Sequence, residues 1–434
     1  MTSLAEFADA LDGESFGPDS PGYDAVRRPA NLGYEDVRPR LVVRCGSVAD
    51  VVSTLKFAKA TGDRIVPRGG GHCFAGRSST DGIVLDLSGL DGISVAADGV
   101  ATIGAGARLG QVYAGLHAYG RTLPAGCGPT VGIAGLTLGG GIGLLGRQYG
   151  LTCDRLIGVQ VVLADGSVVE CDEDHEPDLF WALRGAGGGQ FGVVTVLRYA
   201  TVPEPITTRI EAHWPNAGLD EMAEAWQTWA PDAPDELTVN LNLLSEPGAP
   251  VIATLFGAST LDEATTRELL QDWPGSIELR GGLPYHQLKD TFADPRDTPA
   301  RLLRIRTEFF SDAMAPSTLA ALLTQLGEPR TEDRRELTFT AMTGAYSNVS
   351  EDATAFAHRN ERFLLEHIAE AADPWVDSSW TTAHADASGR VYPNFPDPAL
   401  DDWAAAYHAG NYRRLKTIKS AYDPYRFFDF PQAI

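Results

Sequence analysis

The sequence predicts an α+β protein of two domains, and three observations carry that expectation. The chain has 434 residues, more than one ordinary domain holds. The first 205 residues carry short apolar strands, helical stripes and 36 of the 46 glycines, and the last 45 return to that style. Between them, residues 206–388 thin in glycine and alternate strands with amphipathic helices, the pattern of one sheet covered on one face.

Residues 1–40, with Pro, Asp and Gly throughout, are expected to wrap the surface. A strand follows at 41–45. Ser47 then reads as an N-cap with Asp50 as its capping-box acid, and Val51, Val52, Leu55 and Ala58 keep helical spacing until Gly62. Strands at 64–66 and 83–87 flank Val66-Pro-Arg-Gly-Gly-Gly-His-Cys-Phe-Ala-Gly-Arg-Ser-Ser-Thr80. Gly69, Gly70, Gly71 and Gly76 are free to take positive φ, and consecutive N–H groups in such a turn form an anion-binding concavity. Arg68 and Arg77 bracket it with charge, and Ser78 and Ser79 add hydroxyls, which suits a pyrophosphate. His72 in its middle is a poor phosphate clamp but a good nucleophile when neutral. A glycine-rich turn carrying a surface histidine reads equally well from these residues alone.

A strand at 100–103 and a helix marked by Leu109, Val112, Tyr113 and Leu116 lead to a second unusual stretch, 124–143, dense in glycine. Such density means backbone packed close against something flat or bulky. Gly141-Ile-Gly143-Leu-Leu-Gly146 with Asp165 downstream fits a dinucleotide fingerprint, but Gly132 and Gly135 interrupt the strand it requires. Asp165-Gly166 reads better as a hairpin turn between 159–163 and 167–170. A short helix at 178–183, a strongly β-prone strand at 191–199 and the boundary Pro203-Glu-Pro205 complete the first part.

In the middle segment, strands are expected at 207–214, 236–243, 251–256 and 336–341, and helices at 219–229, 261–270, 316–326 and 355–372. The eight tryptophans, several of them here, are read as core rather than as the lining of a carbohydrate groove. After residue 388 come Arg390-Val-Tyr-Pro-Asn-Phe-Pro-Asp397, a helix with Trp403 and Tyr407, and a last helix at 413–422 ended by Asp423-Pro424. Metal-ligand spacing, a nucleophile elbow, a P-loop and a fixed-period repeat are all absent from the sequence.

The net charge of −23 argues against nucleic acid and anionic membrane surfaces as partners. No basic region precedes an apolar run at Met1–Ala8, and no stretch reaches transmembrane length. Five cysteines without a CxxC do not form a disulfide framework. The expected location is the bacterial cytoplasm.

The motif R-G-G-G-H-x-x-x-G-x-S at 68–78 resembles the histidyl-flavin loop of the vanillyl-alcohol-oxidase-type (PCMH-type) flavoproteins. The run 126–143 resembles the cysteinyl-flavin segment of their berberine-bridge-enzyme-like branch, which includes oligosaccharide oxidases. Gly189-Gln-Phe-Gly-Val-Val-Thr195, Tyr392-Pro-Asn394 and Asn411-Tyr-Arg-Arg-Leu415 extend the likeness, which is motif-specific over 36–205 and 390–434 and loose across 206–388. The resemblance implies an FAD domain made of 1–205 and 389–434, with a substrate domain, 206–388, inserted. It implies FAD bound covalently to His72 through the 8α-methyl carbon and to Cys127 through C6, with further cofactor contacts at Gly126, Val131, Gly132, Gly135, Leu136, Gly140, Gly143, Tyr149, Gly150, Val193, Asn394 and Asn411. Taken alone, Cys127 also reads as a small buried residue; its bare setting between Gly126, Gly128 and Pro129 suits a sulfur that meets a ring edge. Neither nucleophile has a sequence neighbour that suggests a metal site or a catalytic dyad. The pattern departs at Ile142, where some members carry an aromatic residue, and at Tyr407-His408-Ala-Gly-Asn411, and both departures bear on substrate class.

The implied activity is oxidation of a hydroxyl-bearing small molecule by hydride transfer to flavin N5, with dioxygen as acceptor and peroxide as product. Tyr392 matches the family's tyrosine base; its pKa must fall for that role, with Arg390 as a candidate helper. As an alternative, Tyr392 stacks on the flavin. A dehydrogenase or an oxidative-cyclisation enzyme of natural-product biosynthesis using another acceptor, and a non-catalytic flavin or ligand carrier, remain the rival functions, separated by peroxide formation in air and by anaerobic bleaching.

Overall fold

A computed structural model of the chain describes residues 3–215, 218–273, 276–292 and 302–434. Two hydrophobic cores organise them. One draws mainly on both chain ends, from Phe7 through Leu197 to Leu415, Ile418, Phe428 and Ile434, and takes in Ala258, Leu283, Tyr285, Leu288 and Ala355 of the middle segment. The other is built from residues between Ile210 and Ala383. We propose on these two cores that the domain boundaries fall at 205/206 and 388/389.

The first body holds two main sheets and a two-stranded ladder of Arg121–Thr122 with Val202–Pro203. In one, Leu41–Arg44, Ile83–Asp86 and Ile65–Arg68 are parallel neighbours, edged by antiparallel Glu14–Phe16. Ile83–Asp86 is buried along its length, as a strand covered on both faces must be. The crossover helix Val48–Thr61 starts at Ser47 with both halves of the capping box made and stops at Gly62, φ +72°. Asp50 does more than cap: its carboxylate also accepts from the N–H groups of Asp12 and Gly13 at 2.9 Å, tying the N-terminal wrap to the sheet. The second sheet is antiparallel, in the order Ile93–Val95, Val100–Gly104, Val193–Ala200, Leu156–Val162, Val168–Cys171. Its hairpin turns at Asp165-Gly166, where Asp165 Oδ1 accepts from Ser167 N at 2.8 Å. The segment before Gly141 is a helix, Ile133–Leu138, so the strand that a dinucleotide fingerprint requires is not there.

The second body is a seven-stranded antiparallel sheet in the order Glu278–Pro284, Ile206–Pro215, Ile252–Ser259, Leu237–Ser245, Arg335–Ala341, Phe363–Glu370, Leu303–Phe310. One face packs on Leu219–Trp229, Pro316–Leu326 and Trp375–His384 through Trp226, Leu319, Leu322 and Trp375. The helix expected at 355–372 does not form: Phe363–Glu370 is an interior strand. Its Ala, Glu and Leu content favours a helix. Phe363, Leu365 and Ala369 nevertheless alternate inward with His367, and cross-strand packing on both sides overrides propensity. Glu278–Pro284, Tyr285–Asp290, Leu303–Phe310 and Trp375–His384 are not anticipated by the sequence pattern. No helix among the described residues is long and apolar enough to cross a membrane.

Arg147 joins the two bodies. It is 1% exposed, and its guanidinium donates to the carbonyl oxygens of Met342 (3.1 Å), Pro234 (3.3 Å), Pro231 (2.9 Å), Ala233 (2.6 Å) and Leu237. Removing a buried charge that satisfies this many acceptors leaves them unpaired. Arg147→Ala is expected to lower stability by about 3–5 kcal/mol, read as a fall in Tm by calorimetry.

Candidate active site

The strand Ile65–Arg68 delivers the chain into the glycine loop, and the N-terminal wrap clamps that loop from outside. Asn31 N donates to Gly71 O at 3.1 Å and Asn31 Nδ2 to Cys73 O at 3.2 Å. Gly71 takes φ +74°. Gly70 abuts the second glycine segment so closely that a Cβ on it would lie 2.2 Å from Gly132 N. The two segments thereby form one wall of a cavity of about 520 Å³, within the range of small-molecule and cofactor sites.

His72 and Cys127 both line this cavity. His72 Nε2 is 3.0 Å from Thr130 Oγ1, and burial lowers the imidazole's pKa, so the ring is neutral and nucleophilic at neutral pH. Cys127 has a partner that no sequence neighbour suggests. Lys289 Nζ lies 3.1 Å from its Sγ, carried by the short helix Tyr285–Asp290. Cys73, the sequence neighbour of His72, lines the cavity as well.

Gly69, Gly70, Gly71, Arg77, Ser78, Gly126, Val131, Gly132, Gly135, Leu136, Gly143, Tyr392 and Asn394 are also on its wall. Arg68, Gly76, Gly140, Tyr149, Gly150, Val193 and Asn411 are not. Arg68 is buried behind the loop, where Nε donates to Ser78 O (2.9 Å) and Nη1 to Val26 O (3.0 Å), so it closes the loop rather than charging its mouth. Gly76 sits against the Tyr34 ring, Gly140 against Phe356 and Gly150 against Asp154. Tyr149 and Val193 pack with the first core, and Val194 faces the cavity in place of its neighbour. Asn411 holds a remote loop through Glu351 O (2.7 Å) and Thr354 O (3.1 Å).

The opposite wall comes from the uncovered face of the seven-stranded sheet. Thr238, Asn240, Thr338, Thr340 and Glu366 project into the cavity, while Leu237, Val239, Leu241, Leu337 and Phe339 point into the core behind. The T-V-N and T-F-T alternations carry that signal in the sequence; Glu366 lies in the stretch that the sequence pattern assigns to a helix. Aromatic lining comes from Phe74, Phe256, Phe395, Phe428, Phe430 and Tyr392, with no tryptophan among the described lining residues.

Tyr392 Oη accepts from Gly141 N and Ile142 N at 3.1 Å and from Asn394 Nδ2 at 3.0 Å. These donors favour a phenolate, but burial outweighs them and pushes the pKa up to about 12. That shift runs against the fall required of a tyrosine base. Arg390 does not assist it: Nη1 donates to Glu351 Oε1 and Ala357 O, both at 2.9 Å. Burial, reinforced by the Glu336 carboxylate, raises Glu366 to about 8.

The cavity fits a flavin nucleotide on three counts. A Cβ built on Gly135 meets nothing within 4 Å, so the helix Ile133–Leu138 offers a bare face to a flat ring. Arg77 Nε is buried without a partner among the described residues. Two nucleophiles of the kinds that form flavin bonds lie on the same wall.

These features define a flavin-dependent enzyme. The chain matches the family models "FAD binding domain" over residues 39–172 and "Berberine and berberine like" over 391–434. An uncharacterised FAD-linked oxidoreductase of Bacillus subtilis, YgaK, is 31% identical over 98% of this chain and 97% of its own. The glucooligosaccharide oxidase of Sarocladium strictum is 31% identical over 96% and 91%. A solved glucooligosaccharide oxidase structure from Acremonium strictum, whose FAD is described as 6-S-cysteinyl, 8α-N1-histidyl, superposes with a TM-score of 0.87 at 24% identity, covering 99% of this chain and 98% of that one. The chain belongs to the berberine-bridge-enzyme-like FAD-linked oxidoreductases and binds FAD.

Glu366 yields a stability prediction. Its folded pKa lies above the ordinary 4.5, so its contribution is fully present below that value and is lost as pH rises through about 8. Glu366→Gln escapes this loss. The Tm of the variant minus that of wild type should therefore be larger at about pH 9 than at about pH 4.

Proposed function

We propose that the chain is an oxidase of hydroxyl-bearing substrates, sugars or oligosaccharides in class, with FAD joined covalently to His72 and Cys127 and dioxygen as the acceptor. The observation that carries this reading is the shared cavity. His72 and Cys127 stand on one wall, and a sheet face of Thr238, Asn240, Thr338, Thr340 and Glu366 forms the other. Short hydroxyl and amide side chains offer donors and acceptors at strand spacing, which suits a polyol. The 31% identity to a glucooligosaccharide oxidase supports the same substrate class.

Gly69, Gly70 and Gly71 would receive the pyrophosphate on their N–H groups. With Nε2 held by Thr130, Nδ1 is the His72 nitrogen left for the flavin. Bound there, FAD supplies a two-electron acceptor that dioxygen regenerates, giving peroxide. The chain supplies a base. A carboxyl that titrates near 8 is matched to neutral pH, whereas a phenol near 12 is not, so Glu366 takes the substrate hydroxyl proton. Tyr392, its hydroxyl fixed by three N–H donors, is a positioning residue on the same cavity wall.

Oligosaccharides should bleach the bound flavin anaerobically and release peroxide in air; bleaching without peroxide would mark a dehydrogenase. The reduction rate should rise about tenfold per pH unit below pH 8 and level off above it, as the carboxyl ionises. Glu366→Gln should lose that dependence and about 10²–10⁴ in rate. If the dependence survives in Glu366→Gln and disappears in Tyr392→Phe, the proton goes to Tyr392 instead.

A further inference from the structure

Lys289 is used by neither the fold nor the oxidation described above. It is 3% exposed, and its ammonium group has poor company. Nζ lies 3.3 Å from Ala125 O and 3.1 Å from Cys127 Sγ, over the rings of Tyr113 (5.1 Å) and Tyr285 (5.3 Å). Among the described residues no carboxylate pairs with it. An ammonium in such a place carries a desolvation cost that one carbonyl does not offset. A methionine would fill the same space without that cost. The lysine is also held firmly. Its helix is pinned at the domain boundary by Tyr285 N to Pro205 O (3.2 Å) and His286 N to Glu204 Oε1 (2.9 Å). Glu204 is itself gripped by His117 Nδ1 at 2.6 Å.

We propose that Lys289 is the base that makes and holds the Cys127 thiolate for its bond to flavin C6; this rests on the Cys127 attachment proposed above. Burial lowers the pKa of Lys289, so the amine can take up a proton. It removes the proton from Sγ, and the resulting ammonium and thiolate stabilise each other. The sulfur's electron pair forms the S–C6 bond, and the C6 hydrogen leaves as a proton. Dioxygen removes the two electrons now held by the ring and takes up two protons, equal in number to those lost from sulfur and from C6. Thiol, ring C–H and dioxygen thus give thioether and hydrogen peroxide. The thioether carries no charge, and Lys289 returns to the amine.

The test is to express Lys289→Met with FAD in air, digest it, and measure flavin on the His72 and Cys127 peptides by mass spectrometry. The expected result at neutral pH is flavin retained on His72 and a loss of at least about tenfold on Cys127, recovered as pH is raised and hydroxide ionises the thiol. Wild-type occupancy of Cys127 in this variant at neutral pH overturns the proposal. Flavin missing from the Cys127 peptide of wild type overturns the attachment reading itself. If Lys289→Met carries no flavin at all, Lys289→Gln decides. A neutral amide fills the space but neither takes a proton nor holds a thiolate, so Cys127 occupancy should again recover only at raised pH. Full occupancy at neutral pH in Lys289→Gln overturns the role.

Discussion

At Gly70 and Gly132 two loops pass so close that a Cβ on either would sit 2.2 or 2.3 Å from the other's backbone nitrogen. No other residue type fits such a crossing. It sets the glycine loop of the parallel sheet against the start of the helix Ile133–Leu138, and His72 and Cys127 are thereby carried to one cavity wall. The surrounding contacts keep the crossing in place. Asn31 clamps the loop from outside, Arg68 ties its two ends from behind, and Thr130 fixes the imidazole. Backbone rather than side-chain chemistry shapes the cofactor wall, which accounts for the density of glycine.

The facing wall follows a different logic. An antiparallel sheet covered on one face alternates, and every second residue of Leu237–Ser245 and Arg335–Ala341 points away from the helices. Apart from Leu244 and Glu336, those positions hold threonine and asparagine: Thr238, Asn240, Asn242, Thr338 and Thr340. The chain thus builds a polar floor on an apolar core. Arg147 locks this floor to the first body by donating to five carbonyl oxygens of the second. Arg359, which donates to Asp154 at 2.7 and 2.8 Å, and Tyr346, hydrogen-bonded to Gly143, tie the two bodies together as well.

Much of this is legible in the sequence because it is local. The Ser47–Asp50 capping box, the Gly62 stop, the Asp165-Gly166 hairpin and the two glycine segments each announce themselves within a few residues. What stays hidden depends on distant packing. Phe363–Glu370 has the composition of a helix and becomes a strand only between two neighbours, so its sequence does not place Glu366. Lys289 sits 162 positions from Cys127, and its helix gives no periodic signal in six residues. Arg68 looks like a phosphate ligand because its charge is visible in sequence and its burial is not. The pKa of Tyr392 is hidden for a related reason: the resemblance supplies a role, but the balance of burial against three N–H donors exists only in the folded chain.

The central claim is that FAD is tethered by the two nucleophiles this backbone crossing brings to one wall. The most direct measurement is the intact mass of acid-denatured protein, followed by peptide mapping. The account predicts the mass of the chain plus one FAD, with the flavin joining the peptides that contain His72 and Cys127. A mass equal to the bare chain, with all flavin free in the acid supernatant, would contradict it.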